Sequence, residues 1–128
     1  FAGGYNEAIS RIETDYVVLL NSDVKVEKNW LLPLIDFALS HPNVGAIQPK
    51  IKSFYDNDFF EYAGASGGFL DIFGYPFCRG RIFNFTEKDG RQYDDYQEIF
   101  WASGACLAVK AEEFKKIGGF DSSFFAHM

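Results

Sequence analysis

The sequence lacks several features that each indicate a particular class of protein. No apolar run in its 128 residues approaches the roughly 20 residues that a membrane-spanning helix needs. Only two cysteines are present, Cys78 and Cys106, and their separation matches no metal-binding spacing, although a single disulfide stays open. Basic residues are in deficit, with 12 against 18 acidic residues, so a net charge of -6 disfavours nucleic acid as a partner. So few cysteines are simplest to interpret as a reduced, cytosolic setting.

Alternating periodicities predict an α/β fold. Apolar residues at helical spacing predict helices over 4–13, 30–40 and 111–117, and short apolar runs predict strands over 16–20, 44–48 and 104–110. This alternation is typical of a mostly parallel sheet flanked by helices. Residues 53–95 are rich in Gly, Asp and aromatic residues without a clear period, so we expect an irregular segment there.

Three polar residues follow the first predicted strand. The apolar run Tyr16–Leu20 ends abruptly in Asn21, Ser22 and Asp23. Ligands of open α/β sheets bind beyond the carboxyl ends of the strands. Oxygen ligands suit a hard divalent cation, and such cations usually bridge to substrate phosphates. The alternative is a plain turn, because Asn, Ser and Asp are common turn residues.

Four motifs occur in a fixed order along the chain. They are Gly4-Tyr5-Asn6, the run 16–24, the segment Trp101-Ala102-Ser103-Gly104-Ala105, and residues 118–125 with the sequence Gly-Gly-Phe-Asp-Ser-Ser-Phe-Phe. In this order they resemble the motifs of family 2 glycosyltransferases. The rhamnosyltransferase-like bacterial members of the family are the most similar. The resemblance implies a partial GT-A fold, that of the nucleotide-diphospho-sugar transferases.

The resemblance also implies roles in donor binding. The family carries a D-x-D-like motif at a strand end, whose first Asp is replaced here by Asn21. Asp23 would hold Mg²⁺ or Mn²⁺ against the donor pyrophosphate, and Asn21 and Ser22 would line the nucleotide-sugar site. Gly4 and Asn6 match a family segment near the nucleotide, where Gly allows close backbone approach. The alternative is that Gly3-Gly4 is simply the loop before a helix.

Acceptor binding is implied for Trp101, Ser103 and Gly104. Small residues leave space for a sugar, and an aromatic face can lie against its C–H surface. The alternative for Trp101 is a core aromatic, since burial is the commonest use of Trp. Arg79 and Arg81 are candidates for pairing with phosphate. For them, a surface loop that pairs with nearby acids is the favoured alternative.

The resemblance implies an enzyme. It would be a glycosyltransferase that moves a sugar from a nucleoside diphosphate to a glycan or lipid-linked acceptor hydroxyl, with inversion. A non-catalytic glycan-binding module and a nucleotidyltransferase are the alternatives. The resemblance implies a cytoplasmic location, with peripheral association at the inner face of the membrane as one option for the full-length protein.

The boundaries of the sequence indicate a fragment. We expect residues 1–128 to form a single incomplete domain that lacks N-terminal strands and a C-terminal part. The family places an acidic general base just beyond the position of Met128, so no catalytic residue is assigned. The fragment alone is therefore expected to be inactive, because activation of the acceptor hydroxyl needs a positioned base.

Overall fold

The structure, a computed structural model, describes residues 2–124. Its elements follow in the order α1 (Ala2–Ser10), β1 (Tyr16–Leu20), α2 (Leu31–Ser40), β2 (Ala46–Ile47), β3 (Gly68–Leu70), β4 (Pro76–Cys78), β5 (Arg81–Ile82), β6 (Phe85–Thr86), β7 (Cys106–Lys110) and α3 (Ala111–Lys116). The three predicted helices and three predicted strands are all present, and β2 is shorter than expected. In this part of the chain, no helix is long and apolar enough to cross a membrane.

The first sheet has the strand order β1-β7-β2, and both of its pairings are antiparallel. Leu20 pairs with Cys106, and Ile47 pairs with Ala108. β1 and β2 therefore run in the same direction, with the opposed β7 between them. The prediction of a mostly parallel sheet is wrong for residues 2–124, where every strand pairing is antiparallel. An apolar run such as Tyr16–Leu20 indicates a buried strand but not the direction of its neighbour.

The segment expected to be irregular contains a second sheet. Strands β3, β4, β5 and β6 form an antiparallel meander in chain order. These strands have only two or three residues each, which is too short to produce a recognisable alternation. The expectation of an irregular segment is therefore wrong for residues 68–86.

Two apolar clusters hold the described residues together. The first joins α1, β1, β7 and α3 through Ile9, Leu19, Val109 and Phe114. The second lies under the meander and consists of Phe60, Ala65 and Cys78, with Tyr93 and Trp101 packed against them. Both cysteines are buried and free, so the alternative of a disulfide between them is not realised.

Helix α3 ends as the sequence predicts. Gly118 has a φ of +87°, and its N–H donates to the carbonyl of Lys115 at 3.0 Å. Gly119, with a φ of +74°, donates to the carbonyl of Phe114 at 2.9 Å. Glycine adopts this left-handed conformation without steric cost, so the pair stops the helix and turns the chain back towards α1.

Candidate functional site

The residues Asn21-Ser22-Asp23 form an exposed turn at the carboxyl end of β1. The turn closes with a hydrogen bond from the N–H of Val24 to the carbonyl of Asn21 at 3.2 Å. The N–H of Asn21 donates to the carbonyl of Ala105 at 3.0 Å, which extends the β1–β7 ladder by one step. A turn is thus present, and its three side chains face solvent at a strand end, where they are free to contact a ligand.

The same hydrogen bond brings together two segments that are distant in sequence. Because Leu20 pairs with Cys106, the residues that precede β7 lie beside the turn that follows β1. Gly104 is exposed, and a Cβ added there would meet no atom within 4 Å among the described residues. The predicted donor-binding and acceptor-binding segments therefore share one edge of the sheet, with open space beside Gly104.

The backbone of Ser103 is hydrogen-bonded to the side chain of Gln48, a residue that the sequence analysis missed. Ser103 is only 8% exposed, and its N–H donates to Oε1 of Gln48 at 2.6 Å. The amide of Gln48 in turn donates from Nε2 to the carbonyl of Gly64 at 2.9 Å. The Ser103 hydroxyl accepts the N–H of Ala105 at 3.2 Å. These contacts give Ser103 a role in shaping the backbone of the segment, and its contact with an acceptor stays a prediction.

The position of Gln48 in the sequence could have identified it as a candidate site residue. Gln48 directly follows β2, just as Asn21 directly follows β1. Because β1 and β2 run in the same direction, both residues lie beyond carboxyl ends at the same edge of the sheet, where ligands of α/β sheets bind. The strand-end rule that selected Asn21 therefore also points to Gln48.

Trp101 packs against the first strand of the second sheet. Its indole Nε1 donates to the carbonyl of Phe69 at 3.0 Å, and its backbone carbonyl accepts the N–H of Gly68 at 3.1 Å. The ring lies so close to Gly68 that an added Cβ would be 2.0 Å from Cδ2 of the indole. These contacts support the alternative that Trp101 is a core aromatic. Its ring is half-buried, so a sugar contact stays a prediction.

Gly4 and Asn6 lie in α1 rather than in a loop. Gly4 is exposed, and a Cβ added there would meet no atom of residues 2–124 within 4 Å. The side chain of Asn6 donates to the carbonyl of Phe120 at 2.8 Å and accepts the N–H of Phe120 at 2.9 Å. Asn6 therefore ties α1 to the chain after α3. The structure assigns it this structural contact, and the part of either residue in nucleotide binding stays a prediction.

Asp23 is the one acid of the turn. The described residues contain no group of three or more His, Cys, Asp or Glu that could hold a metal ion. A single carboxylate nevertheless fits a cation of the Mg²⁺ class, because such a cation keeps several waters and is held by one or two carboxylates together with substrate phosphates. The amide oxygen of Asn21 supplies a neutral oxygen two residues away.

The two arginines singled out in the sequence are not equivalent. Arg79 forms an ion pair with Asp95 at 3.1 Å and lies over the rings of Tyr93 and Phe69. This pairing agrees with the alternative favoured for it, a loop arginine bound to a nearby acid. The guanidinium of Arg81 lies 4.4 Å from the ring centroid of Tyr62 and has no carboxylate partner within residues 2–124.

A buried carboxylate joins the chain after β2 to the loop that follows β6. Asp89, whose side chain is 8% exposed, accepts Lys50 at 3.0 Å and Lys52 at 3.2 Å. Burial acts to raise the pKa of Asp89, but the hydrogen bonds from Lys50, from the backbone of Arg91 and from Lys52 outweigh it and hold the pKa below its ordinary value. The arrangement is electrostatic support for the fold.

A groove of about 740 Å³ lies between α2 and residues 93–99. Gln48 lines it, whereas residues 21–23 and 101–105 do not. The groove and the exposed strand-end site are therefore separate features that meet at Gln48. The position expected for the general base, beyond Met128, lies outside the described residues.

Comparison with known proteins gives one family. The model of Glycosyl transferase family 2 matches residues 1–118. An N-acetylglucosaminyl-diphospho-decaprenol L-rhamnosyltransferase of Mycobacterium tuberculosis is 30% identical over 121 residues, which cover 89% of this chain and 38% of that protein. The O-antigen biosynthesis protein RfbC of Myxococcus xanthus is 30% identical over 128 residues, which cover 93% of this chain and 9% of that protein.

The chain thus spans well under half the length of the curated relatives that it matches. No solved structure matches it. The family model nevertheless covers most of the chain, including α1, the Asn-Ser-Asp turn, the 101–105 segment and α3. The chain therefore belongs to glycosyltransferase family 2, and membership of that family implies the GT-A type of α/β fold.

Proposed function

We propose that the full-length protein transfers a sugar from a nucleoside-diphosphate donor to a hydroxyl of a glycan or lipid-linked acceptor. The observation that carries this proposal is the hydrogen bond of 3.0 Å from Asn21 to Ala105. It joins the turn predicted to bind the donor to the segment predicted to bind the acceptor. A transferase needs both substrates at one place, because holding them in reacting geometry removes much of the entropic barrier.

The relatives support the choice of acceptor class. The name of the Mycobacterium tuberculosis relative describes transfer of L-rhamnose to a lipid diphosphate that carries N-acetylglucosamine. The Myxococcus xanthus relative is named for O-antigen biosynthesis. The first name states a lipid-linked acceptor and the second states O-antigen biosynthesis, and we propose a glycan or lipid-linked acceptor for this protein.

We further propose which residues of the site bind the donor and which bind the acceptor. Asn21, Ser22 and Asp23 bind the nucleotide-sugar, and Trp101, Ser103 and Gly104 form the acceptor side. Mg²⁺ or Mn²⁺ held by Asp23 would neutralise charge on the leaving diphosphate. The small side chains of Ser103 and Gly104 leave room for a sugar ring beside the turn.

The reaction proposed is a direct displacement. The acceptor oxygen forms a bond to the anomeric carbon while the bond from that carbon to the diphosphate oxygen breaks, which inverts the anomeric configuration. The hydroxyl proton passes to a general base that we place beyond Met128. On the nucleotide side, Gly4 and Asn6 also contribute to donor binding. Asn6 contributes indirectly, through its two hydrogen bonds to the backbone of Phe120.

We also propose that residues 1–128 are an incomplete glycosyltransferase domain of a longer protein. The coverage of the relatives, 38% for the Mycobacterium tuberculosis protein, supports this. A cytoplasmic location at the inner face of the membrane follows from the proposed substrates, because a lipid-linked acceptor is anchored in the bilayer and nucleotide-sugars are water-soluble.

The test is Asp23→Asn in the full-length protein. The substitution removes the one carboxylate of the turn, so Mn²⁺-dependent binding of a nucleoside diphosphate, measured by calorimetry, should weaken by about tenfold or more. The matched control is Asp15→Asn, which changes an exposed acid at the opposite end of β1. Unchanged Mn²⁺-dependent binding in Asp23→Asn would refute the assignment. A protein that binds glycans but no nucleoside diphosphate would instead be the glycan-binding module.

A further inference from the structure

The groove between α2 and residues 93–99 has the size of a ligand site. Its volume of about 740 Å³ falls within the range of roughly 300–1,000 Å³ that is typical of sites for small molecules. One wall is formed by α2 and the other by the segment 93–99. Two ion pairs, from Lys50 to Asp94 and from Arg79 to Asp95, fasten the start of this segment to neighbouring parts of the fold.

The charges that line the groove disfavour an anionic ligand. The lining carries two cations, Lys50 and Arg79, against three carboxylates, those of Asp94, Asp95 and Glu98. Both cations are already paired with carboxylates of the same lining. A nucleoside diphosphate would therefore meet an excess of negative charge. An acyl chain is disfavoured for a different reason, because it would bury charged side chains against hydrocarbon at a high cost.

The same lining fits a neutral sugar chain. Phe37, Tyr93 and Tyr96 line the groove with aromatic rings. The ring of Tyr96 packs against Phe37 with the ring centroids 4.4 Å apart, and Tyr96 is 78% exposed, so its other face is open to the C–H surface of a sugar. A hydroxyl both donates and accepts, so the hydroxyls of a sugar can bind carboxylates and cations alike. Hydrogen bonds to such charged groups are the stronger ones.

The groove leads to the segment predicted to bind the acceptor. Gln48 lines the groove, and its Oε1 accepts the N–H of Ser103, the residue before the exposed Gly104. Ile99 also lines the groove, two residues before Trp101. A ligand that reaches the Gln48 end of the groove would therefore lie next to the place where we propose that the acceptor binds.

We propose that the groove binds the sugar residues that adjoin the reacting sugar in a neutral acceptor glycan. The proposal rests on the proposed function, to which it adds a site for the body of the acceptor and a preference for acceptors without acidic sugars. Tyr96 and Glu98 carry this preference. The ring of Tyr96 supports the C–H face of a sugar, whereas the carboxylate of Glu98 accepts a hydroxyl and repels another carboxylate or a phosphate.

The experiment measures binding of the full-length protein to an array of bacterial oligosaccharides, without donor and without metal. The array holds neutral oligosaccharides and matched ones that carry a uronic acid. The first variant combines Tyr96→Ala with Glu98→Gln. Its matched control combines Tyr55→Ala with Glu13→Gln, which makes the same changes at exposed residues outside the groove lining. The second variant, Glu98→Lys, changes the lining from one excess negative charge to one excess positive charge.

We expect neutral oligosaccharides to bind the unaltered protein and the control, and to bind the first variant about tenfold or more weakly, because a hydrogen bond to a charged group and a ring contact are both lost. Glu98→Lys should shift the preference towards acidic oligosaccharides, which a general loss of structure would not do.

The proposal is overturned if the unaltered protein binds no oligosaccharide or prefers the acidic ones. Equal binding by the first variant and its control would also overturn it, as would an unchanged preference in Glu98→Lys. The array contains no donor, so the two proposals fail separately. A protein that binds neutral oligosaccharides in the groove but no nucleoside diphosphate would refute the proposed transfer and support the groove as a glycan site.

Discussion

The contact between Gln48 and Ser103 gives a sharp test of how the 101–105 segment is held. Gln48→Leu keeps most of the side-chain volume and removes both the amide oxygen and the amide nitrogen. The carbonyl of Gly64 retains a donor, because the N–H of Gly67 also reaches it at 3.1 Å. The N–H of Ser103 has no such substitute among the described residues and is left buried without an acceptor.

The size of the expected destabilisation follows from the single N–H group of Ser103 that loses its acceptor. A buried donor without a partner costs about 1–3 kcal/mol, and the hydrogen bond to Gly64 that is also lost is partly replaced. We therefore expect the free energy of unfolding to fall by about 2 kcal/mol, which corresponds to roughly a 30-fold change in the unfolding equilibrium. The assay is urea-induced unfolding of the full-length protein, followed by tryptophan fluorescence, with hydrogen exchange at Ser103 as the local readout.

The control is Gln97→Leu, which makes the same chemical change at an exposed residue whose amide donates only to the neighbouring Glu98 carbonyl at 3.3 Å. It should change stability by less than about 0.5 kcal/mol. If Gln48→Leu unfolds at the same urea concentration as Gln97→Leu, and exchange at Ser103 is unchanged, the contact does not hold the segment and the reasoning fails.

Two further predictions concern the support of the site. Gly68→Ala should destabilise the protein by about 1–3 kcal/mol in thermal unfolding, because its Cβ would lie 2.0 Å from the ring of Trp101 and force the ring away from β3. Asp89→Asn should remove part of the acid sensitivity of stability. The pKa of Asp89 in the folded protein is below its ordinary value of 3.8, so its stabilisation is fully present above that value and is lost as the pH falls through the folded pKa.

Each of these has a control of the same chemistry. Gly45→Ala adds a methyl where no atom lies within 4 Å, and a loss of stability equal to that of Gly68→Ala would contradict the steric argument. Asp58→Asn breaks an exposed ion pair with Lys88, and exposed pairs contribute little. Identical unfolding curves for Asp89→Asn and the unaltered protein between pH 2 and 6 would show that the buried network does not respond to acid.

The sequence alone determined the local elements. The apolar run Tyr16–Leu20 and the stripe of α2 are recognisable because a strand or helix imprints its own period on consecutive residues. The same holds for α3, which has Glu112 and Glu113 in its first turn, Lys115 and Lys116 in its last turn, and Gly118 just after its end. The position of Asn21-Ser22-Asp23 at a strand end, and thus the predicted donor-binding turn, also follows from neighbouring residues. Membership of the glycosyltransferase family was recognisable because its motifs survive in order.

The tertiary structure determined how those elements pair and which distant residues they bring into contact. The insertion of β7 between β1 and β2 made the sheet antiparallel and brought Ala105 to Asn21, because strand pairing depends on contacts between distant residues that leave no local period. The role of Gln48, the hold of Asn6 on Phe120 and the packing of Trp101 on Gly68 are likewise long-range contacts. The short strands of the meander carry no recognisable alternation, so the second sheet became visible only when these strands paired.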